Sequence, residues 1–359
     1  MTDWKDQARA DRLRFDMVSP TNIDAVYGEL TGVVLHDSSI TCGYYTDTRT
    51  AGTLTVRGDG WRRGSLVRVT HTAPGWRNVI GTYIVGNDDG ERVHGSWEQR
   101  LELRSILHGL STDRLTGPFT VARGGYALAA IKKLLASRGR RAVYSRPTDH
   151  RYGSAKVYPT GEAVLSVLFD LCAASGNRLD VDGRGRVTVG RYVRPASKTP
   201  KLTVDLADPR GTVDGGVSLH TNYLEMPTNA VVSYRDGYGD DAREIRATAT
   251  VAKGSHASRG ARGYTVTEYR ELTEMSPKTW GEAQKRADRL LRDGSRELVE
   301  WTLTTRYLPL WEGDMVTLSV PDGRYKGKRK CLVKSADIDL GTMAMKVVLK
   351  ETASGDEED

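Results

Sequence analysis

The chain has no uninterrupted apolar run near the ~18 residues that a membrane-spanning helix needs. Its first residues, MTDWKDQARADRLRF, lack the apolar middle of a secretory leader, so synthesis and folding in the cytoplasm are expected. No asparagine begins an Asn-x-Ser/Thr sequon. Only three cysteines occur, Cys42, Cys172 and Cys331, far apart in apolar or strand-like surroundings. That number and spacing exclude a CxxC metal site and argue against a disulfide framework, and they read as small core residues.

Recognisable catalytic patterns are also missing. None of the seven histidines falls in an HxxxH, HExxH or HxH arrangement, so zinc has no sequence support; His36, His71 and His94 read as surface or partly packed groups near strand ends. No GxSxG elbow offers a nucleophile, and no P-loop or GxGxxG cradle is present. Asp180-x-Asp182-Gly183 starts like a calcium loop, but Arg191 stands where a bidentate Glu is required; a type I′ hairpin turn is the better reading. Gly237-Tyr238-Gly239-Asp240-Asp241 lacks any supporting polymerase domain and reads as a loop. Arg184-Gly185-Arg186 and Arg259-Gly260-Ala261-Arg262-Gly263 are small basic loops able to touch phosphate, without the aromatics of a single-strand platform. No catalytic, cofactor or metal residue is therefore assigned, and binding or structure is favoured over catalysis.

What is present is material for packed cores. At 359 residues, 38% hydrophobic and 28% charged, the chain is expected to form two to four domains. The net charge of +7 fits contact with nucleic acid or an acidic surface, but the 53 basic residues are interspersed with 46 acidic ones, and a solvated mixed surface is the simpler reading.

Residues 1–20 open with a short charged helix expected over 3–18, Asp3 capping it and Ser19-Pro20 ending it. Residues 21–112 alternate with period two around 30–35, 53–57, 65–71, 81–85 and 99–104. Gly/Asp-rich stretches such as 57–60 and 86–90 separate these segments, as in a small antiparallel barrel or sandwich. Residues 113–200 read as an α/β unit. It has helices over 126–137 and 160–175, the second capped by Thr160, and a hairpin around Asp182-Gly183. Residues 201–352 return to β, with one helix over 277–293 capped by Ser276 and Pro277. Residues 353–359 form an acidic tail.

The two β blocks share an order. Gly64-Ser-Leu-Val67-Arg-Val69 matches Gly313-Asp-Met-Val316-Thr-Leu318, each after a tryptophan, Trp61 and Trp311. Tyr83-Ile84-Val85 then aligns with Cys331-Leu332-Val333, and Leu101-Glu-Leu103 with Met345-Lys-Val347. A duplicated barrel is expected from this order.

Several stretches together resemble one family, the hub proteins of phage-tail baseplates and related contractile machines. They are the Tyr44/Asp47/Arg49 turn before Leu54-Thr-Val56; Gly64 to Val69 followed by Ile80 to Val85; the helix and hairpin within 161–189; Asn229-Ala-Val-Val232; and Pro309-Leu-Trp-Glu-Gly-Asp-Met-Val316. The resemblance runs from about residue 22 to 350. It implies a mixed β and α+β fold: two tail-tube-like antiparallel β-barrels with a small α/β insert between them. It further implies a non-enzymatic homotrimer in the virion. Such a ring would join a hexameric tail tube or distal tail ring to spike or fibre proteins around a DNA channel, whose lining acts on DNA weakly and without sequence preference. Ending at Asp359 with no lysozyme, peptidase or fibre domain, the chain is expected to leave wall digestion to another protein. A tail-associated hydrolase and a nucleic-acid-binding module are the alternatives.

Overall fold

The computed structural model describes residues 11–44, 46–58, 61–93, 95–208, 216–221, 223–236, 243–255, 257–272, 280–295 and 299–352. His94, the 237–241 stretch, Ser276, Pro277 and the acidic tail lie outside them. The chain divides into two compact units, Met1–Val217 with Thr302–Leu349, and Ser218–Trp301 with Lys350–Asp359. Residues 201–352, expected as one β block, are thus shared between two units.

The first block begins with β1 (Arg12–Val18), β2 (Val26–Glu29), β3 (Val33–Gly43), β4 (Thr50–Arg57), β5 (Leu66–Ala73), β6 (Trp76–Val93) and β7 (Ser96–Ser105). Where residues 12–18 were expected to be helical they form a strand; the earlier part of that helix falls outside the described residues. Leu13, Phe15 and Met17 alternate with period two, and β1 is paired on both sides, with β5 from Arg12↔Thr72 to Val18↔Leu66 and with β2. Such a double ladder outweighs the modest helix propensity of a short polar segment. Strand β6 also runs on through 86–90, where a turn was expected. A bulge between Val85 and Asp88 absorbs the glycine-containing stretch, and pairing with β7 resumes to Val93↔Ser96.

Helix α1 (Ile106–Thr112) ends the first block, and the insert follows as β8 (Phe119–Val121), α2 (Ala127–Ala136), β9 (Ala142–Ser145), β10 (Lys156–Tyr158), α3 (Val164–Ala174), β11 (Asn177–Val181) and β12 (Val187–Arg191). Ala127, Ala130, Ile131, Leu134 and Leu135 form the buried stripe of α2, as helical spacing requires. Helix α3 starts later than expected, at an Ala163 N-cap without a side-chain bond. Residues 161–163 are engaged elsewhere: Gly161 and Glu162 exchange backbone bonds with Leu115, and Ala163 bridges Arg114. One apolar cluster joins all three helices with β11 and β12 and takes in Val18 and Leu66 of the first block. The insert and first block therefore share a core.

After β13 (Thr203–Asp205) and β14 (Val217–Thr221) come β15 (Asn229–Asp236), β16 (Arg243–Thr250), α4 (Arg259–Arg262), β17 (Thr267–Leu272) and α5 (Trp280–Gly294). In this second unit β15 lies between β16, antiparallel, and β17, parallel. Ala283, Ala287 and Leu291 of α5 pack with Ala230, Val232, Ala247 and Ala249. Alanines on both sides allow the helix to approach the sheet closely.

The last strands are β18 (Val299–Arg306), β19 (Met315–Val320), β20 (Gly327–Asp339) and β21 (Ala344–Glu351). One sheet carries strands of both blocks, in the order β18-β21-β20-β3-β4-β7-β6-β5-β1-β2, with β19 also on β20 and β13 parallel to β19. Within it, β5-β6-β7-β4 and β19-β20-β21-β18 are the same four-strand arrangement met twice in the same chain order. The registers agree: Leu66↔Ile84 and Val67↔Tyr83 in the first correspond to Met315↔Leu332 and Val316↔Cys331 in the second. Gly64 and Gly313 occupy the same left-handed turn, at φ 81° and 82°. The two motifs join where β3 pairs with β20, Ser39↔Asp339 to Gly43↔Ser335.

Leu103 of β7 is fully buried within this sheet. Leu103→Ala is expected to cost about 2–5 kcal/mol, read as a lower urea midpoint.

Candidate functional site

The groups considered in the sequence are each engaged locally. His36 is exposed beside Asp37, 2.9 Å away. His71 is fully buried, its Nε2 2.6 Å from Asp11 Oδ1 and its ring 4.7 Å from those of both Trp76 and Tyr307. Arg262 of the second basic loop is engaged internally: it donates to Met226 O and Leu224 O, and its guanidinium packs on Tyr264 at 4.4 Å. Arg186 of the first is bound to Asp182, with Nε to Oδ2 at 2.7 Å. Neither loop thus presents its full set of donors to phosphate.

The Asp-Gly hairpin differs from the two-residue turn expected. Asp182 and Arg186 close a longer loop in which Gly185, at φ 83°, takes the left-handed position. Gly183 serves close approach instead: a Cβ there would lie 2.4 Å from Val79 O of β6. Thr82 Oγ1 donates to Gly183 O at 3.0 Å, so the hairpin tip is seated on the first block.

Near this contact a cavity of about 420 Å³ is lined by charges of both signs, among them Arg178, Asp180, Lys198, Lys201, Glu312 and Asp314. Three stretches supply these charges, and Asn78 and Val79 of β6 also line it. Strand β11 supplies Arg178 and Asp180, joined at 2.9 Å. The chain before β13 supplies Lys198, whose Nζ donates to Gly313 O at 2.7 Å, and Lys201, paired with Asp314 at 2.7 Å. The turn before β19 supplies Glu312, held by Trp311 N to Asp314 Oδ2 at 2.7 Å and Gly313 N to Val333 O at 3.0 Å. The β3–β4 turn adjoins them: Arg49 donates to Tyr44 O, and Arg178 lies 4.2 Å over the Tyr44 ring. Gly313 is required on two counts, its positive φ and a Tyr44 ring atom 2.8 Å from where a Cβ would stand.

Glu312 is 5% exposed, and neither carboxyl oxygen accepts a well-formed hydrogen bond from a described residue. Burial, then the charge of Asp180, pushes its pKa up to about 8, against the opposing pull of its own amide, Arg178 and Arg49. Burial and the neighbouring Arg178 lower the pKa values of Arg49 and Lys198. The thiol of Cys42 is raised by burial and then by Glu312. All three cysteines are buried and none forms a disulfide, as the sequence suggested. Among the described residues no three His, Cys, Asp or Glu side chains are grouped to hold a metal ion. The cluster can hold one proton and tie three chain segments together. Sequence reasoning missed it because its members come from positions 49, 178, 198 and 312; the Tyr44/Asp47/Arg49 turn, Asp180 and the Trp311-Glu-Gly-Asp314 stretch are legible singly, but nothing local brings them together.

No protein-family profile and no curated protein matches the sequence. Solved structures do. A tail protein from Neisseria meningitidis superposes with a TM-score of 0.67 at 14% identity, over 96% of this chain and 97% of that one. The 43 kDa tail protein of prophage MuSo2 from Shewanella oneidensis gives 0.64 at 16% identity, over 95% and 98%. This is the fold of phage tail proteins. A prophage tail protein from Listeria monocytogenes shares it at 0.57 and 10% identity, over 96% and 95%. The resemblance to phage-tail proteins is thus matched by a β-rich tail-protein fold, and in each case the similarity extends over nearly the full length of both chains.

Because folded Glu312 holds its proton to about pH 8 while the unfolded side chain loses it near 4.5, stability should fall as pH rises between those values and level off above. The steepest slope is about 1.4 kcal/mol per pH unit. Glu312→Gln, which cannot titrate, is expected to flatten that part of the profile of denaturation midpoint against pH.

Proposed function

We propose that the chain is a structural hub of a phage or prophage tail tip. Three copies form a ring of pseudo-sixfold character that joins a hexameric tube, or the distal tail ring, to spike or fibre proteins. The observation that carries this reading is the repeated four-strand motif, β4–β7 and β18–β21, with matched registers and matched glycine turns. A chain with two similar tube-like β-barrels gives six similar elements in a closed threefold assembly, which is what a symmetry adaptor between six and three requires. In this reading residues 21–112 supply the first barrel, the part of 201–352 that carries β18–β21 supplies the second, and residues 113–200 form the α/β insert between them. Around the central channel DNA passes out of the virion. The role is non-enzymatic.

The full-length similarity to tail proteins supports this reading through the fold alone. Light scattering after size exclusion is the test. A mass of about 119 kDa, three times the 39.6 kDa chain, is expected. A stable dimer would overturn the ring.

A further inference from the structure

The even scatter of charge along the chain does not hold for the insert. Between residues 113 and 200 there are sixteen Lys and Arg against six Asp and Glu, an excess of ten in a chain whose total is +7. Four of the sixteen lie toward one end of the insert. The parallel pairing of β9 with β12 reaches Ser145↔Gly190, and Arg146 and Arg191 are the residues that follow this last pair. From there the chain passes the end of α3, with Thr148 N bonded to Asn177 Oδ1 at 2.9 Å and Tyr192 N to Gly176 O at 2.9 Å. It then reaches the start of α2, where Arg151 bridges Tyr126 and its Nε donates to Gly124 O at 3.2 Å. Arg123 precedes that glycine.

Arg123, Arg146, Arg151 and Arg191 are all exposed, and Tyr126 and Tyr192 are 50% and 45% exposed. Among the described residues, the ion pairs of the insert engage Arg138, Lys156, Arg178 and Arg186, none of these four. The acid nearest in sequence, Asp149, is turned to the backbone, accepting from Leu128 N at 3.1 Å and His150 N at 2.8 Å. Four exposed guanidinium groups outside the ion pairs of the described residues, with the half-exposed Tyr126 bridged to Arg151 and Tyr192 next to Arg191, match a run of phosphates carrying sugars or bases. The aromatic interleaving that both basic sequence loops lacked is supplied here by the fold, from positions 126 and 192.

We propose that this end of the insert binds the phosphodiester backbone of DNA without reading its sequence. The contact is electrostatic, in the range of non-specific binding, roughly 1–100 μM near physiological salt. It is independent of the hub reading, which the mass of the assembly tests separately.

The experiment is fluorescence anisotropy of a short labelled duplex of arbitrary sequence with the full-length protein, from about 50 to about 200 mM salt. Binding that weakens steeply with salt is expected. The triple variant Arg146→Gln, Arg151→Gln, Arg191→Gln should lose at least about tenfold in affinity at low salt, with a salt slope shallower by about 0.9 per lost phosphate contact. Arg270→Gln, at an exposed arginine of β17, serves as the control and should bind as the parent does. Circular dichroism of the triple variant checks that it folds. The proposal is overturned by no binding at low salt, by a folded triple variant that binds like the parent, or by polyglutamate competing as well as unlabelled duplex.

Discussion

The pairing of β3 with β20 is the contact on which the rest of the architecture depends. Five consecutive residue pairs, Ser39↔Asp339 to Gly43↔Ser335, join segments almost 300 positions apart. Closing so long a loop is entropically costly, though the cost grows only slowly with length. Once closed, it makes one sheet of two four-strand motifs. Everything between, the insert and the second compact unit, leaves from and returns to that frame. It also brings the β3–β4 turn, with Tyr44 and Arg49, against the turn that carries Glu312, since Tyr44 N bonds to Lys334 O at 2.8 Å.

The mixed-charge cavity follows from this closure. A charged carboxyl buried without strong partners is costly, and the response is to keep its proton. Glu312 does so, while Arg178 is spread between the Asp180 carboxylate and the face of Tyr44. The insert, the first block and the last block are tied through one cluster, and the hairpin tip at Gly183 adds a backbone-level contact to β6. Two kinds of contact, one electrostatic and one steric, fix the insert on the frame. Its basic end, at Arg146 and Arg191, lies at the opposite end of the β11–β12 hairpin from that tip.

How much of this was legible in the sequence depended on the range of the deciding interaction. Strands β18 and β19 alternate because one face of each is the more deeply buried, and α2 shows its apolar stripe for the same reason. The repeat was readable too, since glycine turns and strand spacing are local. Segment 12–18 was misread because its polar composition suits a short helix, and only the flanking β2 and β5 make it a strand. The division of residues 201–352 was invisible because β16 and β17 pair with β15 while β19 pairs with β20, a choice no local pattern announces. Glu312 and the four insert arginines were passed over for the same reason: their neighbours are set by the fold.

The central claim is that a duplicated motif builds a threefold ring with sixfold character. Electron-microscopy projections of the purified assembly down its axis test it most directly. The account predicts a closed ring of six similar lobes, alternating in pairs related by threefold symmetry, around an open channel. Twofold particles, or rings without the six-lobed repeat, would contradict it.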